Sequence, residues 1–287
     1  MKAIYERELK SWFSGMMGYA VVAFILLFGG IYTMALNLHA QYAGFQYVLN
    51  NMVLIFMVVT PLLTMRAIAE ERRQKTDQLL YALPIGMSAV VVGKYLAMIT
   101  VLFVPLAMMG FYPLLLSAYG TVPMAASYGT LLAFFLMGAA LIAMGLFVSS
   151  LTDNQAVAAV GCLIVTLINY FLSPLASFVP GTASASLAAL TLATLVLGAI
   201  VWLLTKHTLA ACLTVIVCEG ALVAVRFAAP AAFEGLFSRI MGQLSVFERF
   251  FSFMNGIFDV TALVYFVTVI AVFLFLTVQS LEKRRWS

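Results

Sequence analysis

The sequence has 287 residues, of which 64% are hydrophobic and only 9% are charged, and its mean hydropathy is +1.10. A soluble domain carries about 25% charged residues, so this composition excludes an ordinary soluble protein and indicates an integral membrane protein. The formal charge of +4 at pH 7 does not indicate a nucleic acid partner, because the basic residues cluster at the ends of apolar runs, where they orient a chain in a bilayer.

The first residues predict an amphipathic helix over 1–14. Four apolar side chains recur there at helical spacing, while charged side chains occupy the other faces. The apolar residues are Tyr5, Leu9, Trp12 and Phe13. We expect this helix to lie in the inner membrane interface. Its charged start, with no small-residue cleavage site after the first apolar run, argues against a removable signal peptide.

Eight apolar runs follow that are long enough to cross a bilayer, since about 20 apolar residues in a helix span the hydrocarbon and every backbone polar group must be satisfied internally. They occupy 19–36, 47–65, 95–117, 128–151, 156–178, 186–205, 208–229 and 260–278. The sixth and seventh runs are expected to form a tight hairpin, or one of them a re-entrant segment. The eleven apolar residues 82–92 are too few to cross and predict an interfacial or loop-packed piece. The pattern therefore predicts an all-α polytopic transmembrane helix bundle in a single domain, 1–287.

The distribution of Lys and Arg predicts the orientation of this bundle. If the N-terminus is cytoplasmic and all eight runs cross, twelve basic residues fall on the inner side and three on the outer side. The outer ones are Arg226, Arg239 and Arg249. We therefore expect a multi-pass protein of the inner (plasma) membrane with both termini in the cytoplasm. Residues 230–257, too polar to span but strongly amphipathic, are expected to form short extracytoplasmic helices.

Three polar residues in the later apolar runs are candidates for an intramembrane site: Asn169, Glu219 and Arg226. An acid inside a span usually faces the bundle interior or water. Glu219 is thus expected to bind a polar substrate group, to relay a proton, or to pair with hydroxyls and amides of another helix, and we favour the structural pairing. Arg226 lies about 10 Å further along the same helix, too far for direct pairing. Asn169 is typical of a residue that hydrogen-bonds between helices.

Motifs for catalysis or nucleotide binding are absent from the sequence. It contains no G-x-x-x-x-G-K-[ST] phosphate loop, no G-x-G-x-x-G after a strand and no H-E-x-x-H. The three cysteines lie in apolar runs without C-x-x-C spacing, which predicts neither a zinc site nor a disulfide framework. The chain is therefore predicted not to be an enzyme and to hold no metal or cofactor of its own.

The most polar stretch, EERRQKTDQLLYALP at 70–84, connects the second and third runs. Acids at its start favour a helix, since they lie near the positive end of the helix dipole, and Pro84 ends that helix and turns the chain back toward the membrane. An apolar knob suited to a cleft in a partner consists of Leu79, Leu80 and Tyr81. The residues expected to fix its register by charge pairing are Arg72, Arg73 and Asp77. The alternative is a solvated loop that only orients the two helices.

The run from Met65 to Ala97 resembles the first cytoplasmic loop of ABC-2 type permeases, which typically reads E-[EK]-[RK]-x3-T-x-[ED]-x-L-x3-P-x8-9-GK. The matching positions are Glu70, Glu71, Arg72, Thr76, Leu80, Pro84, Gly93 and Lys94, with Asp77 and Gln78 at the usual acidic and amide places. The opening MKAIYERELKSWF and the closing apolar segment also resemble that family, especially its gliding-motility-type branch. The common core of the family has six helices, so the two additional runs imply an extra hairpin at 186–229.

The resemblance implies the membrane subunit of an ATP-driven transporter, expected to be an exporter, that is coupled to a separate cytoplasmic ATPase through the loop 66–94. ATP and Mg would be bound by that partner. The implied coupling residues are Glu70, Glu71, Arg72, Arg73, Thr76, Asp77, Gln78, Leu79, Leu80, Tyr81 and Pro84.

Further partners implied by the resemblance are a second permease copy or paralogue, since two ATPase subunits need two such loops, and an auxiliary membrane protein with an extracytoplasmic domain. The alternative function is an ion-gradient-driven secondary transporter or channel. That class is expected to carry intramembrane charges in several spans and broken helices in related halves.

Overall fold

The structure is a computed structural model of the chain, and it describes residues 1–75, 86–205, 207–228, 233–256 and 259–285. The chain divides into two compact units, one formed by Met1–Ile168 with Arg249–Ser287 and the other by Asn169–Glu248. Within the described ranges every regular element is helical and no strand occurs. The all-α fold predicted from the apolar runs is therefore confirmed.

The first unit contains most of the helices. They are α1 (Lys2–Ser14), α2 (Met16–Tyr32) with a π-helical continuation (Thr33–His39), α3 (Gln46–Thr64), α4 (Ala69–Arg73), α5 (Met87–Met109), α6 (Tyr112–Ser117), α7 (Met124–Leu151), the larger part of α8 (Gln155–Ser177), the larger part of α12 (Val246–Met254) and α13 (Val260–Arg285). The second unit contains α9 (Ala183–Thr205), α10 (Thr208–Ala228) and α11 (Leu236–Leu244).

The central helix of the first unit is α7, which packs against α3, α5 and α13. Two glycines allow this close packing. A Cβ atom at Gly138 would collide with Phe56 of α3 and lie 2.8 Å from Cδ2 of Leu102 in α5. A Cβ atom at Gly145 would collide with Thr64 of α3. These glycines of α7 thus let α3 and α5 approach its backbone closely, as is typical of membrane helix interfaces.

Among the described residues, six helices or helix combinations are long and apolar enough to cross a membrane. They are Met16–His39, Gln46–Arg73, Met87–Ser117, Met124–Leu151, Gln155–Ser177 and Val260–Arg284. The predicted hairpin corresponds to α9 and α10, which have 23 and 21 residues and contribute shorter apolar stretches at Ala183–Ala199 and Ala211–Ala224. Six spans plus a further pair of apolar helices are the arrangement that the sequence predicts.

The start of the third span differs from the prediction. The sequence placed it at residue 95 and an interfacial piece at 82–92, but α5 begins at Met87 and runs through the Gly93-Lys94 pair. The earlier part of that piece lies outside the described residues. The prediction for 87–92 is wrong because the helix does not stop at Lys94, whose ammonium is paired with carboxylates inside the structure.

In the second unit, α9 packs on α10 and on α11. A Cβ atom at Gly198 would collide with Val215, so the two long helices are in close contact there. Before α11, Gly235 adopts the left-handed conformation with φ 67° and donates its N–H to the Gly181 carbonyl at 3.0 Å. The described part of the predicted segment 230–257, residues 233–256, contains the short helices α11 and α12, and the extracytoplasmic location of the segment stays a prediction.

Candidate functional site

The short helix α4 forms the end of the span Gln46–Arg73 and is fixed at its start by α7. The backbone N–H groups of Ile68 and Ala69 lie 3.3 and 3.2 Å from Oγ of Ser149, which accepts both hydrogen bonds. The first N–H groups of a helix have no partners within the helix. A side chain of α7 therefore caps α4, and the start of α4 cannot move away from α7 without exposing these groups.

Arg72 ties α4 to the C-terminal end of α7. Its side chain is only 3% exposed, and its Nη1 lies 3.6 Å from Oδ1 of Asp153. The same Nη1 donates a hydrogen bond to the Ser150 carbonyl in the last turn of α7. The carbonyls of that turn have no N–H donor within the helix. The negative end of the helix dipole also favours a cation there.

Arg284, in the last turn of α13, meets the same end of α7. Its Nη1 donates to Oδ1 of Asp153 at 2.9 Å, and its Nη2 donates to the Leu151 carbonyl at 3.1 Å. We call Arg72, Ser150, Asp153 and Arg284 the α7 cap cluster. It joins α4 and α13 at the end of the central helix.

On its other side, α4 enters a closed ring of four charges that alternate in sign. Nζ of Lys94 lies 2.7 Å from Oε1 of Glu71 and 3.1 Å from Oε1 of Glu8. Nη2 of Arg7 lies 2.8 Å from Glu8 and 3.1 Å from Glu71. We call these four residues the charge ring. It joins α1, α4 and α5, and its Lys94 side chain is only 3% exposed.

Gly93, next to Lys94, explains how α1 reaches the ring. A Cβ atom at Gly93 would lie 3.1 Å from Cγ2 of Ile4, and Ile4 is buried together with Val90. The hydroxyls of Tyr5 and Thr100 are hydrogen-bonded at 3.1 Å. The Gly-Lys pair of the predicted motif thus has two separate tasks, since the glycine admits α1 and the lysine binds the carboxylates.

The ion pairs of the ring shift the pKa values of Glu8 and Arg7. Burial raises the pKa of Glu8, but the Lys94 ammonium and the Arg7 guanidinium together outweigh this effect and leave the pKa of the carboxyl below its usual range. The hydrogen bond to Glu8 raises the pKa of the Arg7 guanidinium. Glu8 and Arg7 are therefore both charged at neutral pH.

Four of the predicted coupling residues are described. Glu71 is in the charge ring and Arg72 in the α7 cap cluster. Glu70 lies 3.8 Å from Arg66 in an exposed ion pair, and Arg73 is exposed. The predicted coupling residues outside the described ranges are Thr76, Asp77, Gln78, Leu79, Leu80, Tyr81 and Pro84.

The residues predicted as an intramembrane polar site bind different segments. Thr194 of α9 donates its hydroxyl hydrogen to Oε1 of Glu219 in α10. Oδ1 of Asn169 accepts the N–H of Val246 at 2.9 Å, and its Nδ2 donates to the Leu244 carbonyl at 3.3 Å. Arg226 lies in α10, and its side chain is outside the description. The contacts of Glu219 and Asn169 link helices and give no sign of a shared site.

The charge ring and the α7 cap cluster together form what we call the junction around α4. Several of its residues were missed by the sequence analysis. Glu8 and Asp153 received no role, and Arg284 was used only for orientation. A signal for them exists, because acids that lie at the same end of a bundle as most of its Lys and Arg are expected to pair with them.

In the described ranges, no group of three or more His, Cys, Asp or Glu residues is arranged to hold a metal ion.

The fold and the charged junction define a multi-pass helical membrane protein whose spans are tied together at one end. The sequence matches the family model of ABC-2 family transporter proteins over residues 30–192. Because this match covers more than half of the chain, the chain belongs to the ABC-2 transporter family, whose members are membrane components of transport systems and imply a partner ATPase subunit. No curated protein and no solved structure matches the chain.

The matched range has a simple relation to the junction. It includes Glu71, Arg72, Lys94 and Asp153, but it begins after α1 and ends inside α9. The partners that α1 and α13 contribute, namely Arg7, Glu8 and Arg284, therefore lie outside the matched range.

Proposed function

We propose that the chain is the permease subunit of an ATP-driven ABC-2 exporter, in which a separate cytoplasmic ATPase acts on the segment 66–94. The observation that carries this proposal is the connection of α4, a helix of only five residues. Its adjacent Glu71 and Arg72 bind different partners, Glu71 the helices α1 and α5 and Arg72 the end of α7. A displacement of α4 is thereby passed to three helices at once.

The ion pairs that hold α4 are strong enough to pass a displacement on to the neighbouring helices before they break. Removing one partner of a buried ion pair costs about 3–5 kcal/mol, because it leaves an uncompensated charge. Lys94 and Arg72 are each 3% exposed, so separating either from its partners has this kind of cost. A force that reaches α4 from residues 76–85 therefore moves the junction as one body.

The finer features of the assembly are parts of the same proposal. The permease works as a dimer with a second copy or a paralogue, because each of two ATPase subunits needs one coupling segment, and those subunits hold ATP and Mg. Both termini lie in the cytoplasm and the protein lies in the inner membrane. This orientation is supported by two connections of the terminal helices with the coupling segment: Arg7 contacts Glu71 directly, and Arg284 contacts Asp153, which also lies 3.6 Å from Arg72.

We also propose that the chain belongs to the gliding-motility-type branch and that it works with an auxiliary membrane protein that has an extracytoplasmic domain. The support is the resemblance of the opening segment, 1–13, and of the closing segment, 250–286, to that branch. Both segments lie outside the matched range 30–192.

Co-purification tests the proposal. Tagged protein extracted from its own membranes in mild detergent is expected to bring a nucleotide-binding subunit with it. The double variant Leu79→Asp/Leu80→Asp is expected to lose that subunit and still insert into the membrane, because two charges would replace the apolar knob. A matched control is Gln74→Asp/Lys75→Asp, which adds the same acid at two exposed positions. Normal coupling in the leucine variant would contradict the assignment of the knob.

The driving force separates this proposal from an ion-gradient-driven transporter. Transport by the exporter is expected to stop when ATP hydrolysis is blocked and to continue when the proton and sodium gradients are collapsed. The opposite result would overturn the proposal.

A further inference from the structure

We propose that the end of α13 is a latch for the coupling segment, formed by Arg284 and Asp153, which holds α4 and α13 together on the end of α7. This inference rests on the proposed coupling function and assigns two positioning residues to it. With the latch closed, α13 follows the displacement of α4. With the latch open, the ATPase moves α4 without moving α13.

The geometry of Asp153 carries the first step. One oxygen, Oδ1, lies 2.9 Å from Nη1 of Arg284 and 3.6 Å from Nη1 of Arg72. The single carboxylate thus lies between a side chain of α4 and a side chain of α13. No direct contact of the two basic residues is needed, since each binds the same acid.

Arg284 is suited to this place by its shape. It donates one hydrogen bond from Nη1 to Asp153 and another from Nη2 to the Leu151 carbonyl. A guanidinium can make such a forked contact in a fixed plane, whereas an ammonium is a point charge on a flexible stem. Ser280, one turn earlier in α13, adds a hydrogen bond from Oγ to the Ser150 carbonyl at 3.4 Å.

Charge balance explains why Asp153 is required. Two guanidiniums meet one carboxylate and the end of α7, where the helix dipole supplies a partial charge of about −0.5. Without Asp153 the carboxylate that lies within 3.6 Å of both guanidiniums is lost. Arg284 is 42% exposed and can move into water, while Arg72 is 3% exposed and cannot.

The difference in exposure makes the contact reversible. Exposed ion pairs are weak and are screened by salt, whereas buried ones are costly to break. The bond between Arg284 and Asp153 can therefore open while Arg72 stays on the Ser150 carbonyl. Opening releases α13 from α4 and leaves the fold of α4 on α7 intact.

Hydrogen–deuterium exchange of the complex with its co-purified ATPase tests the latch. In the wild type, trapping with ATP and vanadate is expected to change exchange in residues 66–75 and in residues 275–285 together. In Arg284→Gln, residues 66–75 are expected to keep this response and residues 275–285 to lose it. Arg284→Lys keeps the charge without the fork and is expected to show a smaller response than the wild type. The control is Lys10→Gln, which removes another exposed cation.

Further variants show whether the two residues act as one unit. The double variant Asp153→Asn/Arg284→Gln is expected to behave like Asp153→Asn alone, because Arg284 acts through Asp153. Additive effects, or a wild-type response of residues 275–285 in Arg284→Gln, would overturn the latch.

The nucleotide-free chain keeps this test separate from the proposed function. If no ATPase co-purifies with the wild type, the coupling proposal fails. The latch is then tested by exchange alone, since Arg284→Gln is expected to raise exchange severalfold in residues 275–285 and to leave residues 66–75 unchanged, and unchanged exchange in residues 275–285 would overturn it.

Discussion

The junction around α4 and the hairpin of α9 and α10 use polar residues in opposite ways. At the junction, Glu71 and Lys94 meet opposite charges from other helices at 2.7–3.1 Å. In the hairpin, Glu219 takes a hydrogen bond from the neutral hydroxyl of Thr194. Opposite charges in contact resist separation, whereas a hydroxyl gives a carboxyl group a hydrogen bond but no opposite charge. The helices of the junction are thus held together by opposite charges, and those of the hairpin by packing and a neutral hydrogen-bond donor.

The two regions also differ in packing. Around α7, the glycines at 138 and 145 are in contact with side chains of other helices. In α10, Gly220 has open space where a Cβ atom would be. The helices of the junction are therefore sensitive to changes of a single methyl group, and this face of the hairpin is not.

The largest effect is expected for Lys94→Met. This change leaves the carboxylates of Glu8 and Glu71 with Arg7 as their remaining partner in the ring, and the loss of a buried partner costs about 3–5 kcal/mol. Thermal unfolding in detergent is expected to shift to a clearly lower temperature. The control Lys2→Met removes an 89% exposed lysine that lies 3.8 Å from Glu6 and is expected to change the free energy of unfolding by less than about 0.5 kcal/mol. Equal shifts in the two variants would show that the charge ring stabilises the fold no more than an exposed ion pair does.

A smaller effect is expected for Gly145→Ala. The new methyl group would collide with Thr64 and lie 2.8 Å from Sγ of Cys162, and overpacking of this kind costs about 1–3 kcal/mol. The matched change in the hairpin is Gly220→Ala, which is expected to be neutral or to stabilise by up to about 1 kcal/mol because alanine favours helix. Thermal unfolding of both variants checks the difference, and a destabilised Gly220→Ala would show that this face of α10 is covered.

Glu219→Gln is expected to have little effect. The amide oxygen of glutamine still accepts the hydrogen bond from Thr194, so unfolding and the ATPase activity of the complex are expected to stay close to wild type. Thr194→Val, which removes the donor, is expected to cost about 1 kcal/mol. If Glu219→Gln abolished coupled ATP hydrolysis, the hairpin would have a role in transport. Its polar residue would then not serve packing alone.

The smallest effect is expected when the pH is lowered. Because the pKa of Glu8 is lowered from its ordinary value of 4.5 in the folded chain, its contribution to stability is present above pH 4.5 and is lost as the pH falls below this value through the folded pKa. Proteolysis within α1 is therefore expected to increase in that range. Glu8→Gln is expected to remove this pH dependence, and Glu6→Gln, a change at an exposed residue, is expected to retain it. A pH dependence that persists in Glu8→Gln would assign it to another group.

The membrane helices could be predicted from the sequence because each span must be apolar over its own length. The runs at 47–65 and 128–151 correspond closely to α3 and α7. The same local argument failed at Lys94, since whether a lysine ends a span or continues it depends on the acids that surround it, and those come from α1 and α4. Residue type alone carried no information about these partners.

The motif EE at 70–71 and the motif GK at 93–94 were recognised as parts of one pattern, but their relation is tertiary. Only the fold brings Glu71 within 2.7 Å of Lys94 and places Arg72 on the end of α7. Ion pairs between distant segments depend on helix directions and on contacts that a single sequence does not specify. The apolar runs thus determined the class and the positions of the long apolar helices, and the three-dimensional packing decided which charges bind one another and which helices α4 contacts.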